Sequence, residues 1–175
     1  FPNTKNIENL LAFRGSINVT SKLTIATNLN LNTAFQKNLQ SEGYRNDGKN
    51  IGQNFNQWWQ RQLDINQLRN YKNPAGGFRA WNIRSPIDRR PAYWDNPFFQ
   101  VYESGNRAED NMLYGDINVS YKILPELKAS VITRANFLNY FSDARTATGG
   151  LELDAYSITN GQFSEFNYEG RLEYN

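Results

Sequence analysis

The composition of this 175-residue chain excludes several kinds of chemistry. The chain contains neither cysteine nor histidine, so thiol nucleophiles, disulfides, Cys/His zinc sites and histidine acid–base catalysis are ruled out. The net charge is only +2, with acidic and basic residues interspersed, and this gives no field that favours nucleic acid as a partner. No apolar run approaches the roughly 20 residues that a membrane-spanning helix needs.

Five segments with alternating apolar and polar residues predict an all-β fold built from antiparallel strands. In chain order the strands are expected at about 10–20, 23–36, 112–122, 127–138 and 165–175. Short turns join the first pair and the second pair, and long loops are expected at about 37–111 and 139–164. Strands of this length exceed the usual five or six residues in soluble proteins and suit a bilayer crossing of about 9–11 residues.

Two segments a hundred residues apart repeat one hairpin sequence. Residues 15–23 read GSINVTSKL, and residues 115–123 read GDINVSYKI. In both copies a short polar turn follows, and then a second alternating run. We interpret the copies as two strands that descend to the same side of a membrane, because every hairpin in a barrel meets the same lipid, lumen and interface.

Charged residues are segregated to one face of all five predicted strands. In a transmembrane barrel this face would line the lumen, whereas the apolar face would contact lipid. A basic side chain at the bilayer midplane costs roughly 2–4 kcal/mol on the lipid face, so we expect arginine to be tolerated at Asn30 but not at Leu29 or Val131. Ile132 interrupts the polar face of its strand. The lumen-facing residues would include Arg14, Asn28, Asn30, Asp116, Arg134, Glu169 and Arg171.

The alternation of faces does not by itself distinguish a membrane barrel from a soluble β-sandwich, which also alternates apolar and polar side chains. Strand length and the regular exchange of short and long connections favour the barrel, with periplasmic turns and extracellular loops. On this interpretation the chain starts outside the cell. Five strands cannot close such a barrel, and an open edge in lipid leaves unsatisfied backbone groups. We therefore expect residues 1–175 to form part of one larger outer-membrane β-barrel domain.

The loop at about 37–111 carries signals for short helices and for aromatic contacts. Apolar spacing predicts a helix face at Phe55, Trp58, Trp59 and Leu63. Asp64, with Gln67 three residues later, predicts the cap of a second short helix. Aromatic platforms beside arginine can stack against sugar rings or grip a partner protein, and the alternative is that they form a small core. The candidate ligand- or partner-binding residues are Trp58, Trp59, Trp81, Arg84 and Trp94.

Enzymatic chemistry is not expected from this sequence. Carboxylate pairs such as Glu109 with Asp110, or Glu152 with Asp154, lack the spacing that would hold a sugar between two acids or build a calcium loop. We therefore expect no catalytic residues, no metal site and no cofactor.

Four segments together carry a family resemblance: NFNQWWQRQLDI at 54–65, GFRAWN at 77–82, PAYWDNPFFQVYE at 91–103 and GDINVSYKI at 115–123. They resemble the barrel of SusC/RagA-type TonB-linked outer-membrane receptors of the Bacteroidota. In that family an Asn-Pro-aromatic-aromatic segment precedes a strand of the form G-x-(I/V)-x-(V/L)-(S/T)-Y-x-(I/L). Residues 96–99 and 115–123 follow this order here.

The resemblance implies a plugged barrel of about 22 strands in the bacterial outer membrane. Such a protein would import glycans or peptides with energy transduced by TonB, beneath a SusD-like lipoprotein. The expected partners are outer-membrane lipid, the SusD-like lipoprotein, the TonB system and other outer-membrane proteins, but not nucleic acid. The plug domain and the TonB box are expected outside this segment.

Three functions remain open from the sequence. The first is an energised nutrient importer of the SusC-like class. The second is a barrel of that family that acts as a structural or scaffolding subunit of a larger outer-membrane complex and transports nothing. The third is a soluble β-rich binding module that uses its tryptophan-containing loop.

Overall fold

The computed structural model describes residues 2–39, 43–44, 50–74 and 78–174, except for the side chains of Phe55 and Trp58. The described chain is all-β apart from three short helices, and its five strands form one antiparallel sheet that is not closed into a barrel. Its strand order is β1-β2-β3-β4-β5. No helix among the described residues is long and apolar enough to span a bilayer. The elements are β1 (Lys5–Asn18), β2 (Leu23–Lys37), α1 (Ile51–Trp58), α2 (Ile65–Leu68), α3 (Pro97–Tyr102), β3 (Gly105–Lys122), β4 (Leu127–Thr146) and β5 (Ala155–Tyr174).

Cross-strand hydrogen bonds fix the register of the first hairpin. The Asn9 side-chain amide donates to the Thr33 hydroxyl at 3.2 Å, and the Arg14 guanidinium donates to Asn28 at 3.2 Å. Near the turn, the Thr24 hydroxyl donates to Asn18 at 2.8 Å. All three pairs belong to one register, and a slip by one residue would exchange the apolar and polar faces of a strand.

The two repeated hairpin sequences turn at different positions. In the first copy the backbone N–H groups of Val19 and Thr20 donate to the Leu23 carbonyl, and the Thr20 hydroxyl accepts a hydrogen bond from the Leu23 N–H. The second copy has Ser120 in place of Thr20. Its hydroxyl instead lies 3.0 Å from that of Ser130 across the β3–β4 pair, and β3 continues to Lys122. The threonine turn therefore ends the first strand earlier within the motif.

Several strands extend further than the alternating sequence pattern. Strand β3 begins at Gly105, β4 ends at Thr146 and β5 begins at Ala155, so the connection between β4 and β5 is much shorter than the predicted 139–164. In these extensions polar residues occur on both sides of the strand. The period-two signal is lost there, although the backbone pairing continues.

The chain divides into two compact units. The sheet unit consists of Ile7–Phe35, Ala108–Phe141 and Thr159–Asn175. The loop unit consists of Phe1–Asn6, Gln36–Arg107 and Ser142–Ile158, and it contains all three helices.

Burial in the sheet unit is inverted relative to a soluble protein. Leu29 is 41% exposed, whereas the adjacent Asn30 is 8% exposed. In β4, Val131 is 56% exposed and its neighbour Ser130 is 6% exposed. Since β2 and β4 both have a strand on each side, this exposure is not an effect of the sheet edge. The apolar face is thus the open face. On the other face polar side chains cover one another, together with Ile132 of β4, which is 8% exposed.

The loop unit has its own apolar core. Leu68, Trp81, Trp94 and Phe98 are buried together, and the half-buried side chains of Trp59, Leu63 and Tyr71 pack against them. The rings of Trp59 and Trp81 have centroids 5.5 Å apart, and those of Phe78 and Phe99 are 4.3 Å apart. Aromatic packing therefore stabilises a long connection that contains little regular structure.

Candidate functional site

The polar face of the sheet unit forms a groove with a volume of about 480 Å³. Alternation along β2, β3 and β4 brings amides, a carboxylate and a guanidinium to the same side of the sheet. The predicted residues Asn28, Asp116 and Arg134 line this groove. Its polar lining also includes Asn32, Tyr114, Asn136 and Asn167.

Hydrogen bonds link six of the seven predicted lumen-facing residues into two groups. Asn28 accepts hydrogen bonds from Arg14 at 3.2 Å and from Asn30 at 3.4 Å. On β4 and β5, Glu169 accepts from both Arg134 and Arg171 at 2.8 Å. Because multiple donors hold each acceptor, the charged groups of this face are positioned by one another.

The tryptophans of the loop unit whose side chains are described differ in their burial. Trp81 and Trp94 are buried, and Trp59 is half-buried against them. The side chain of Trp58 lies outside the described residues. Helix α1 ends at Trp58, and Trp59 has an extended backbone, so the predicted helix face does not continue to Leu63. Ligand binding by these residues stays a prediction, whereas the packing of Trp59, Trp81 and Trp94 in the apolar core is observed.

Arg84 lies in a short hairpin and interacts with its own loop. Its backbone N–H donates to the Arg90 carbonyl at 3.1 Å, and its guanidinium Nε donates to the Pro91 carbonyl at 3.3 Å. An isolated bridge between Ile83 and Pro91 closes the hairpin. Both of these acceptors belong to the same hairpin as Arg84.

Asn96 organises the helix that follows it. Its side-chain oxygen accepts from the Phe98 N–H at 2.8 Å, which caps α3, and Pro97 occupies the first turn. Its side-chain amide donates to the backbone carbonyls of Leu68 and Arg79, both at 3.0 Å. Asn96 is 1% exposed, and its amide hydrogens and oxygen are all engaged. Three separate segments are joined at one buried amide.

Tyr71 and Glu103 form a charged contact beside the aromatic core. The Tyr71 hydroxyl donates to Glu103 at 2.6 Å, and the Lys72 ammonium lies 2.6 Å from the same oxygen. Burial, followed by the hydrogen bond to Glu103 and its negative charge, raises the pKa of Tyr71 to about 12. The hydrogen bonds from Lys72 and Tyr71 lower the pKa of Glu103. Glu103 is therefore ionised at neutral pH.

Asp95 anchors the connection between β4 and β5. Its two carboxylate oxygens accept from the Leu151 N–H at 3.1 and 3.2 Å, and one also accepts from the Gln100 side chain at 3.0 Å. Burial raises the pKa of Asp95 in spite of these hydrogen bonds. A Cβ atom on Gly150 would lie 2.8 Å from Asp95 Oδ2, so the glycine permits this close approach.

Sequence reasoning missed two asparagines that build the loop unit. Asn96 was recognisable, since Asn before Pro is a signal for the start of a helix. Asn38 has a φ of 52° and donates from its side-chain amide to the Asn3 and Val101 carbonyls at 3.0 and 3.4 Å. These are tertiary contacts without a local pattern. The described residues contain no group of three or more His, Cys, Asp or Glu side chains that could hold a metal ion.

Comparisons with protein-family models, curated proteins and solved structures find no significant match to this chain. The likeness to SusC/RagA-type receptors therefore rests on the four sequence segments alone.

Proposed function

We propose that this chain is a segment of a SusC-like TonB-dependent outer-membrane transporter that imports glycans or peptides. The observation that carries the proposal is the inverted burial of the sheet unit. In the central strand β3, Ile117 and Val119 are exposed large apolar residues, as are Leu29 on β2 and Val131 on β4. A contiguous apolar face without charge is costly in water and favourable in lipid.

The extent of the apolar face matches a bilayer crossing. The apolar positions extend from Leu11 on β1 to Val19, which directly follows this strand, and on β3 from Leu113 to Tyr121. Both have the length of about 9–11 residues that a tilted transmembrane strand needs. The residue that precedes Leu11 on the same face of β1 is Asn9, which is hydrogen-bonded to Thr33. The change from leucine to amide and hydroxyl groups is expected where the hydrocarbon region ends.

Aromatic residues are located at the ends of this band. Phe137 and Phe166 form an edge-to-face pair with centroids 5.3 Å apart, at the level where the polar positions begin. Near the short turns, Tyr121 and Tyr174 are exposed. Aromatic rings at both limits of an apolar band are typical of transmembrane β-barrels.

The polar groove suits a hydrated solute that forms hydrogen bonds. Its asparagines provide both donors and acceptors, and these suit sugar hydroxyls and peptide groups equally. In the proposed protein a SusD-like lipoprotein covers the extracellular side, and the TonB system acts through a plug domain.

Membrane assembly and uptake in the intact protein test this function in two steps. The protein should remain in outer-membrane fractions after alkaline carbonate extraction, and it should migrate differently in SDS electrophoresis before and after heating. A stable monomer in the absence of detergent would overturn the barrel. Cells should then lose uptake of the cognate oligosaccharide or peptide when either this protein or TonB is removed. Normal uptake in both deletions, with loss of an associated outer-membrane complex, would favour the scaffolding alternative.

A further inference from the structure

A second polar cavity lies within the loop unit. It has a volume of about 330 Å³ and is lined by three basic side chains, Lys37, Arg107 and Arg145, which define the basic cleft. The exposed aromatic residues Tyr102 and Tyr156 also line it. The predicted binding residues do not include any of these side chains.

The basic cleft carries a surplus of positive charge. Two carboxylates, Glu103 and Asp143, also line it. Glu103 is compensated from outside the lining by Lys72, at 2.6 Å. Asp143 faces Arg107 at 3.8 Å, close to the limit of an ion pair. Arg145 also interacts with Glu103 through its charge. Four cations, the three of the lining and Lys72, therefore face two carboxylates, so positive charge is left over.

Hydrogen bonds within the protein hold the floor of the basic cleft in place. Asn38 is buried, and its side-chain oxygen accepts from the Asn106 N–H at 3.0 Å while its amide donates to two carbonyls. A Cβ atom on Gly105 would lie 2.7 Å from Asn38 Oδ1, so the backbone approaches this amide closely. A rigid floor lowers the entropic cost of binding.

The chemistry of the lining favours a phosphate group. Lysine and arginine side chains offer only donors, and several of them around one cavity suit an oxyanion that carries up to two negative charges. The volume lies at the lower end of the range of about 300–1,000 Å³ for ligand pockets, which is larger than a bare ion requires. Tyrosine hydroxyls beside the cations can hydrogen-bond to a polyol.

We propose that the basic cleft binds a phosphate monoester of a polyol. The ligand can be a lipid headgroup or a soluble metabolite, because both present the same tetrahedral oxyanion. Binding is independent of the transport proposed for the polar groove, since the two cavities share no lining residue.

Two probes that share the phosphate monoester distinguish the sources. Titration calorimetry on the detergent-purified intact protein measures the affinity for glycerol phosphate, with glycerol as the neutral control. Native mass spectrometry measures the binding of dioctanoyl phosphatidic acid. Dioctanoyl phosphatidylcholine, whose phosphate is a diester, is the control. Binding of the first probe alone indicates a soluble ligand, and binding of the lipid alone indicates a headgroup. Lack of binding by both phosphate probes overturns the proposal.

Matched variants assign the binding to the basic cleft. Lys37→Gln combined with Arg145→Gln should weaken binding by about tenfold or more, because two charge-assisted contacts are lost. Both side chains are exposed, so folding should be retained, and circular dichroism checks this. Arg89→Gln removes an exposed cation outside the cleft and should leave affinity unchanged. Equal affinity in the double variant and the wild type would overturn the site, whereas a loss of uptake with intact phosphate binding would not affect it.

Discussion

The side-chain amide of Asn96 donates a 3.0 Å hydrogen bond to the backbone carbonyl of Leu68. The same amide reaches the carbonyl of Arg79, and the Asn96 oxygen caps α3 through the Phe98 N–H. Leu68 and Phe98 are also members of the buried aromatic cluster. One side chain therefore satisfies backbone groups that the apolar core would otherwise leave without a partner.

Replacing Asn96 by alanine should destabilise the loop unit by about 2 kcal/mol or more. The substitution removes a helix cap and leaves two buried carbonyls without their donor. Tryptophan fluorescence during urea unfolding measures the effect selectively, because all four tryptophans belong to the loop unit.

Two control variants separate the contribution of the α3 cap from that of the bridging role, in which the Asn96 amide donates to the carbonyls of Leu68 and Arg79. Asn96→Asp keeps an oxygen for the Phe98 N–H but cannot donate, so it should be nearly as harmful as Asn96→Ala. Asp64→Ala removes the exposed cap of α2, whose oxygen accepts from Asn66 at 2.8 Å, and should cost only about 0.5–1 kcal/mol. Equal losses for Asp64→Ala and Asn96→Ala would contradict the bridging role.

The antiparallel sheet was predictable because side-chain alternation is a local signal. Each of the strands β1 to β5 overlaps one of the five segments that the sequence predicts, although β1 ends at Asn18 instead of about residue 20 and residue 175 lies outside the described residues. Asp64 caps α2 as its spacing indicates. The early turn of the first hairpin was not predictable from the repeat. The early turn depends on the local hydrogen bonds of Thr20. In the other copy the hydroxyl of Ser120 instead lies next to that of Ser130 on the neighbouring strand.

The candidate sites were predictable only in part for a related reason. Alternation assigns Asn28, Asp116 and Arg134 to one face, and the structure places them around one groove. Lys37, Arg107 and Arg145 come from distant parts of the chain, in segments without a clear period. Their proximity follows from strand pairing beyond the apolar positions, which no local pattern specifies.

The glycines of the two repeated hairpins should differ in their tolerance of substitution. A Cβ atom on Gly115 would collide with the backbone carbonyl of Asn28, which cannot move away. Gly115→Ala should therefore cost about 1–3 kcal/mol through backbone displacement. On Gly15 the nearest atom is the ring end of Phe13, at 3.2 Å, and this side chain can rotate.

Heat-modifiable electrophoresis after incubation in graded urea compares these two variants. Gly115→Ala should unfold at lower urea than wild type, and Gly15→Ala should remain close to it. The reverse order would show that the β2–β3 contact is not as close as the structure places it.

Arginine on the apolar face should impair membrane assembly. Leu29→Arg and Val131→Arg each introduce a charge that costs roughly 2–4 kcal/mol near the bilayer midplane. Asn30 lies on the polar face, but its 8% exposure leaves little room for arginine, so the tolerance predicted from alternation alone is not a clean control. Ser16 lies on the polar face of β1 and is exposed, which makes Ser16→Arg the better one. The folded fraction in outer membranes should fall for the first two variants only, and equal assembly of all three would refute the lipid-facing assignment.

Asp95 should make the loop unit less stable as the pH rises. Burial is the main cause of its raised pKa, and the nearby Glu152 charge adds to it. A carboxyl group with a raised folded-state pKa contributes stability below its unfolded pKa, near 3.8, and this is lost as the pH rises through the folded-state value. Asp95→Asn retains an acceptor for Leu151 without the charge.

The stability of Asp95→Asn relative to wild type should therefore increase from about pH 4 towards neutrality. Fluorescence-detected urea unfolding at several pH values measures this difference. Glu103→Gln provides the opposite control, because hydrogen bonds from Lys72 and Tyr71 lower the pKa of Glu103. Its ionised form stabilises the fold above the unfolded pKa near 4.5, and this contribution is lost as the pH falls. A difference for Asp95→Asn that does not change with pH would mean that its carboxyl group is solvated as in the unfolded chain.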